Sequence, residues 1–416
     1  MTLICIPTAN TTAYDSVRGI LAMAGAELDR LGHEVQLLNI GAPDATQRLN
    51  ALLPRHSETV AIGMSGIGLE LYTSDHKLFW EAAQIPFFSW YCDHPSYFAR
   101  RHRIQSRYVV HGYVFPDHAA FNRDFLRPDS PVFAAHIGIP DPGFFHAAAP
   151  ENRNGRILFA KSGWSTAELE RKFRATMPEK LARILFEALE AARGKSCGAF
   201  PEILTAVAAD HLVYLTPGDT IFNALLTRLD NYTRAQRTQE VGAVLADYPV
   251  DFVGGGWSEF AESTATKTAR FLGPLPFDAV RAGLGSYLGA VSLNPNTDLS
   301  MHDRVFFSLG AGTVPIFDAN QFSRRHLPLL SRFSFDHDPD SLRATVETVL
   351  ADPAAAQAAT AATFAAIYPS FSMRRSVEEI CEILTQLAGA GADRLLPAEP
   401  SPAGAWSAPQ LAKAVA

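Results

Sequence analysis

Between Asn294 and Arg304 the sequence reads NPNTDLSMHDR, and the run VFFSLGAG follows it. His302, Asp303 and Arg304 stand where a helix is predicted to begin, and a helix N-terminus offers free N–H groups and a partial positive charge to an anion. Arg304 adds a guanidinium able to grip phosphate with two parallel hydrogen bonds. The structural alternative is an Asp N-cap with an Arg paired to a surface carboxylate. Asn294 opens the same polar loop. Two further loops carry related chemistry. Lys161, Ser162, Gly163 and Trp164 follow the apolar run RILFA, so Lys161 could meet a phosphate or could be a solvated lysine beside a turn. Gly254, Gly255, Gly256 and Trp257 follow VDFV, and a glycine run there lets backbone amides approach a ligand while an aromatic covers one side. A tight turn with a packed Trp explains those four equally well.

Toward the N-terminus, Ser65, Gly66 and Gly68 in the loop SGIG, and Asp93 and His94 before Pro95, likewise follow apolar runs. Either Asp93 or His94 could deprotonate a hydroxyl as a general base. A structural Asp-His-Pro turn competes with that reading, since Asp-His also occurs at Asp75, Asp117, Asp210 and Asp336. Other motifs fail on inspection. Gly194-Lys195-Ser196 ends like a phosphate-binding loop, but Leu189 occupies the place of its first glycine. GMSGIG has glycines at the wrong offsets for a dinucleotide fingerprint, and HExxH and Gly-x-Ser-x-Gly are absent. The four cysteines are far apart and form no metal-ligand spacing, so buried reduced thiols are the better reading and no metal is expected.

Such loops need strands to carry them. LICI, VQLLNI and TVAIGM read as strands around a helix over Tyr14 to Leu31, which makes a βαβ opening. A helix near Asp75 to Ala83 and strands at PFFSWY, YVVHGYVF and VFAAHIGI continue a first lobe over 1–150. The polar turn PENRNG marks a boundary. A second lobe over 151–340 restarts the rhythm at RILFA, carries a helical insertion over about 166–248, and returns to strands at VDFV, AVSL and TVPIFD. In a parallel sheet the loops at 161–165, 254–257 and 294–304 converge on one edge. Residues 341–395 read as helices packing across the lobes, with Val377, Ile380, Leu384 and Leu387 on one helical face, and the Pro- and Ala-rich 396–416 as a flexible tail.

A chain of 416 residues fits about two domains. With 47% hydrophobic and 19% charged residues it buries a sizeable core, and its net charge of −7 supplies no broad positive field, so no nucleic-acid partner is expected. No basic leader or long apolar run predicts a transmembrane segment, and the expected location is cytoplasmic.

The second lobe resembles the carboxyl-terminal half of two-lobed GT-B glycosyltransferases, in particular the group similar to the spore maturation protein CgeB. The resemblance rests on FVGGGW, FLGPLPFDAV and VSLNPNTDLSMHDRVFFSLGAGTVPIFD, roughly residues 250 to 320. It implies an α/β fold of two doubly wound Rossmann-like lobes with an interlobe cleft. It also implies metal-independent transfer of a sugar from a nucleotide-diphosphate donor, a substrate rather than a cofactor, to a glycan, protein or small-molecule acceptor. Where the family often carries a ribose-binding glutamate after Arg-Val-Phe, this sequence has Phe307. Two alternatives remain: a noncatalytic nucleotide- or glycan-binding protein with a degenerate cleft, and a nucleotide-sugar epimerase of the same shape.

Overall fold

A computed structural model describes residues 2–9, 14–104, 106–126, 131–146, 148–265 and 268–390. The chain divides into two compact units, Met1–Gly138 with Phe371–Ala416, and Ile139–Ser370.

Unit 1 is a six-stranded parallel sheet of β1 (Leu3–Thr8), β2 (Glu34–Asn39), β3 (Thr59–Met64), β4 (Phe87–Tyr91), β5 (Val109–Tyr113) and β6 (Val132–Ala134), in the order β2-β1-β3-β4-β5-β6. Every residue of β1, β3, β4 and β5 is buried, which is why these segments read as continuous apolar runs rather than alternating ones. The edge strand β2 buries only Leu38. Helices α1 (Ser16–Arg30), α2 (Ala45–Asn50), α3 (Phe79–Ala82) and α4 (Pro116–Phe121) connect the strands. The helix expected from Asp75 is only the four-residue α3. Thr73 Oγ1 donates to Asp75 Oδ1 at 2.6 Å, and the Thr73 N–H donates to the Lys77 carbonyl, so residues 73–77 close a turn instead.

Unit 2 holds β7 (Ile157–Ala160), α5 (Thr166–Thr176), α6 (Glu179–Ala191), α7 (Phe200–Asp210), α8 (Thr220–Leu245), β8 (Val250–Val253), α9 (Ser258–Ser263), β9 (Arg270–Gly273), α10 (Phe277–Leu284), β10 (Gly289–Ser292), α11 (Asp303–Gly310), β11 (Val314–Asp318), α12 (Gln321–His326), β12 (Ser334–Phe335), α13 (Pro339–Ala351) and α14 (Pro353–Phe371). Its strands are parallel in the order β12-β11-β10-β7-β8-β9, two βαβαβ halves diverging from β7 and β10. The division falls ahead of the polar PENRNG turn for a packing reason: Ile139, Pro140 and Phe145 already lie against Gly310 of α11, where an added Cβ would sit 2.8 Å from the Phe145 ring. Helix α13 packs on α8. The chain then returns to unit 1, where α15 (Met373–Ala390) lies on α1 and β4 and buries Val377, Ile380, Leu384 and Leu387. Residues 391–416, which include the tail expected over 396–416, lie outside the described residues. No described helix is long and apolar enough to cross a membrane.

Candidate functional site

In unit 2 the strand order reverses between β7 and β10, so the loops that follow these strands leave the sheet in opposite directions and open a crevice at its carboxyl edge, the place where doubly wound sheets bind ligands. The β7 loop carries Lys161, Ser162, Gly163 and Trp164, and the β10 loop carries Asn294 and leads to His302. Beside β7, the β8 loop carries Gly254, Gly255, Gly256 and Trp257.

The β7 and β8 loops are joined backbone to backbone. The Gly163 amide donates to the Gly255 carbonyl at 2.9 Å, and a Cβ on Gly254 would stand 2.5 Å from the Lys161 carbonyl oxygen. Gly254 has φ +144° and Gly256 φ +80°, conformations that only glycine adopts at little cost. Trp257 does not cover a ligand. It is 4% exposed, its Nε1 donates to the Lys161 carbonyl at 2.6 Å, and its indole lies where Cβ atoms on Gly163 and Gly242 would be. Its role is to clamp these loops together from beneath. Trp164, 63% exposed, is the aromatic that the platform presents outward.

The β10 loop is braced by its own amides. Asn294 donates its N–H to Asp318 Oδ1 at 2.8 Å and accepts the His302 N–H on Oδ1, also at 2.8 Å, so it ties the loop's two ends to β11. Asn296 takes the left-handed conformation, φ 60°, that asparagine tolerates. Its Nδ2 donates to Asp230 at 2.8 Å, and its Oδ1 accepts from Arg237 Nη1 at 2.6 Å. Asp230, Arg234 and Arg237 all belong to α8, outside the loops that the sequence pattern marks. Their spacing of i, i+4, i+7 was the available signal, because it places a polar stripe on one face of a helix that is otherwise largely buried.

His302 caps α11, and its ring joins Asp303 to Arg304. Arg304 Nη1 lies 3.2 Å from His302 Nε2, while Nδ1 faces both the Asp303 carboxylate and the Arg304 backbone N–H, 3.3 Å away. Burial holds the His302 pKa down to about 4 against the opposing pull of Asp303. Burial works to raise the Asp303 pKa, but the neighbouring His302 and Arg304 outweigh it and bring the carboxyl to about 2. Burial lowers the Arg304 pKa, with the nearby Arg234 charge acting in the same direction. Among the described residues no carboxylate forms a salt bridge with Arg304, so the surface ion pair weighed from sequence is not made. At the end of β11, burial pushes Asp318 up to about 6 despite the amide of Asn294 and the charges of Arg237 and Lys161. Phe307, at the family's glutamate position, is buried against Phe145 and Phe277, with ring centroids 6.3 and 6.0 Å away.

Unit 1 has its own reversal, between β1 and β3, and the Ser65–Gly68 turn follows β3. Ser65 at φ 52°, Gly66 at φ 78° and Gly68 at φ 82° form a left-handed turn that Arg101 fills by donating to the Ser65 carbonyl. Asp93 is half-buried at the end of β4. His94 is only 1% exposed, its Nδ1 2.9 Å from Ser96 Oγ and its ring packed against His118 and Phe121. His94 caps the turn over Pro95–Phe98, accepting the Ser96 N–H on its side chain. Among the described residues no group of three or more His, Cys, Asp or Glu side chains is arranged to hold a metal ion.

No protein-family model and no curated protein matches the sequence. Solved structures do match the fold. A glycosyltransferase from Rickettsia africae is 10% identical, with 94% of this chain and 99% of that one covered at a TM-score of 0.50. A sucrose-phosphate synthase from Thermosynechococcus elongatus is 10% identical over 94% of this chain and 100% of its own, at 0.51. An α-glucosyltransferase solved with UDP and a 13-mer DNA is 11% identical over 92% and 100%, also at 0.51. Two parallel six-stranded sheets flanked by helices are the fold shared with GT-B glycosyltransferases.

Proposed function

We infer that this chain, built on the GT-B fold, transfers a sugar from a nucleotide-diphosphate donor held by unit 2 to an acceptor hydroxyl. The observation that carries the reading is the switch-point crevice of unit 2, where a neutral His302 holds the Arg304 guanidinium beside the first turn of α11. When a glycosidic bond to a nucleoside diphosphate breaks, negative charge grows on the departing phosphate oxygen. Fixed donors aimed at that oxygen lower the barrier without reorganising during the reaction. Arg304 and Lys161 supply such donors from opposite sides of the crevice. Asn294, Asn296 and Trp257 keep the loops in place. This arrangement does the charge-neutralising work otherwise given to a divalent ion, so the proposed transfer is metal-independent.

Asp93, half-buried at the carboxyl edge of unit 1, is proposed as the base that deprotonates the acceptor in an inverting reaction. The acceptor is a hydroxyl of a glycan, protein or small molecule, and the reaction is placed in the cytoplasm. The second reading is a nucleotide-binding protein without turnover, favoured by Phe307, whose phenyl ring cannot accept a ribose hydroxyl as a glutamate would.

The test is a thermal-shift screen against UDP, GDP and TDP, followed by donor turnover in chelator-treated protein. A diphosphate that binds only the native state raises the melting temperature by mass action. One preferred diphosphate together with turnover that persists under chelation supports the transferase. Binding without turnover selects the second reading, and a melting temperature indifferent to all three ligands overturns both.

A further inference from the structure

We propose that Arg234, carried by the long helix α8, supplies a second guanidinium for the terminal phosphate of the donor's diphosphate, opposite Arg304. The inference rests on the nucleotide-diphosphate reading of the unit 2 crevice and adds a residue from outside its three loops.

The placement follows from element lengths. Arg237 stands about 12 Å along the helix from Leu245 at a rise of 1.5 Å per residue, and the four residues of β8 span about 13 Å. Positions 234 to 237 of α8 therefore come level with the carboxyl ends of the strands, while its N-terminal half projects beyond them. Contacts agree with the lengths. Asp230, 1% exposed, accepts from Asn296 of the β10 loop at 2.8 Å and lies 3.6 Å from Arg234 Nη1. Arg237 reaches the same asparagine from the next turn and spends its other nitrogen on the Lys195 carbonyl at 3.0 Å. Asp230 and Arg237 hold the loop, and Arg234, half-buried, shares the stripe one turn from Asp230.

Lys161, Arg234, Arg237 and Arg304 stand around the β10 loop with the carboxylates Asp230, Asp298, Asp303 and Asp318, and Arg234 lies close enough to Arg304 for their like charges to be felt. Two guanidiniums approaching each other at a sheet's carboxyl edge repel until an anion lies between them. A diphosphate is such an anion, with one phosphate for each fork.

Calorimetry on the whole protein tests this with UDP and UMP, GDP and GMP, TDP and TMP, and inorganic pyrophosphate. Arg234→Gln is expected to weaken the preferred diphosphate and pyrophosphate about 10- to 100-fold, the size of a lost charged hydrogen bond, and to leave the matching monophosphate within about threefold. Arg234→Lys, which keeps the charge but loses the fork, should recover part of the loss. Equal losses for mono- and diphosphate, or none, overturn the assignment and leave Arg234 a partner of Asp230. Wild-type protein that binds pyrophosphate but no nucleoside diphosphate would overturn the nucleotide reading alone. Failure to bind either would overturn both.

Discussion

A neutral imidazole between a carboxylate and a guanidinium is an aiming device. Asp303 holds one edge of the His302 ring at Nδ1, and Nε2 on the other edge faces the Arg304 fork. Arg304→Ala should cost about 10- to 100-fold in diphosphate affinity while nucleoside affinity holds, because the contact is to phosphate. His302→Leu leaves the charge but frees the fork, so a smaller diphosphate-selective loss is expected. Calorimetry on both ligands decides the matter, and equal losses for diphosphate and nucleoside would remove the phosphate role. On the other unit the two neighbours Asp93 and His94 should separate. Asp93→Asn is expected to lower single-turnover rates about 100-fold in a folded protein. His94→Ala empties a site between His118 and Phe121 and should lower the melting temperature first. Normal turnover in Asp93→Asn would leave unit 1 without a base.

At the scale of elements, the crevice depends on loops too closely packed to move apart. Gly254→Ala would drive a Cβ into the Lys161 backbone at 2.5 Å in a conformation alanine disfavours, and a loss of about 2 to 4 kcal/mol is expected in denaturant unfolding. Gly155→Ala serves as the control, since Gly155 also has a positive φ but nothing within 4 Å, and about 1 kcal/mol is expected there. Similar losses at both sites would mean that the loops are not welded. The same elements mark how much could be read from sequence. The parallel strands announced themselves, since burial on both faces leaves unbroken apolar runs such as TVAIGM and TVPIFD. The loops at their ends, and hence Lys161 and Arg304, followed from the strand rhythm. What stayed hidden depended on partners distant in sequence. For Trp257 and His94 the sequence leaves a packed role and a site role both open, and only Gly163, Gly242, His118 and Phe121 closing over them shows the packing. The α8 stripe acquires meaning only when Asn296 arrives beside it.

For the whole molecule, acid exposes opposing titrations. His302 has a folded pKa held to about 4 by burial, below the ordinary 6.5, so the unfolded chain takes up its proton first and stability is lost as pH falls from about 6.5 to 4. Asp318, raised by burial to about 6 from 3.8, behaves oppositely: the folded state binds its proton first, and stability is gained as pH falls through the same range. Each contribution is on the order of 3 kcal/mol, so the two nearly cancel. Melting temperatures should therefore change little on their account between pH 6.5 and 4, whereas Asp318→Asn, which deletes the compensating gain, should drop over that range. An unchanged slope in that variant would show that Asp318 titrates normally.

The return of the chain to unit 1 after Ser370 also sets an order of events on the ribosome. The apolar face of α1, near the start of the chain, is covered by α15, which leaves the exit tunnel only after the whole of Ile139–Ser370 has been made. At about 5 to 20 residues per second, that interval is roughly 10 to 50 s. Unit 2 is contiguous and can finish first, whereas unit 1 waits with its opening helix uncovered, and a nascent chain stalled before Met373 presents that helix to chaperones and proteases.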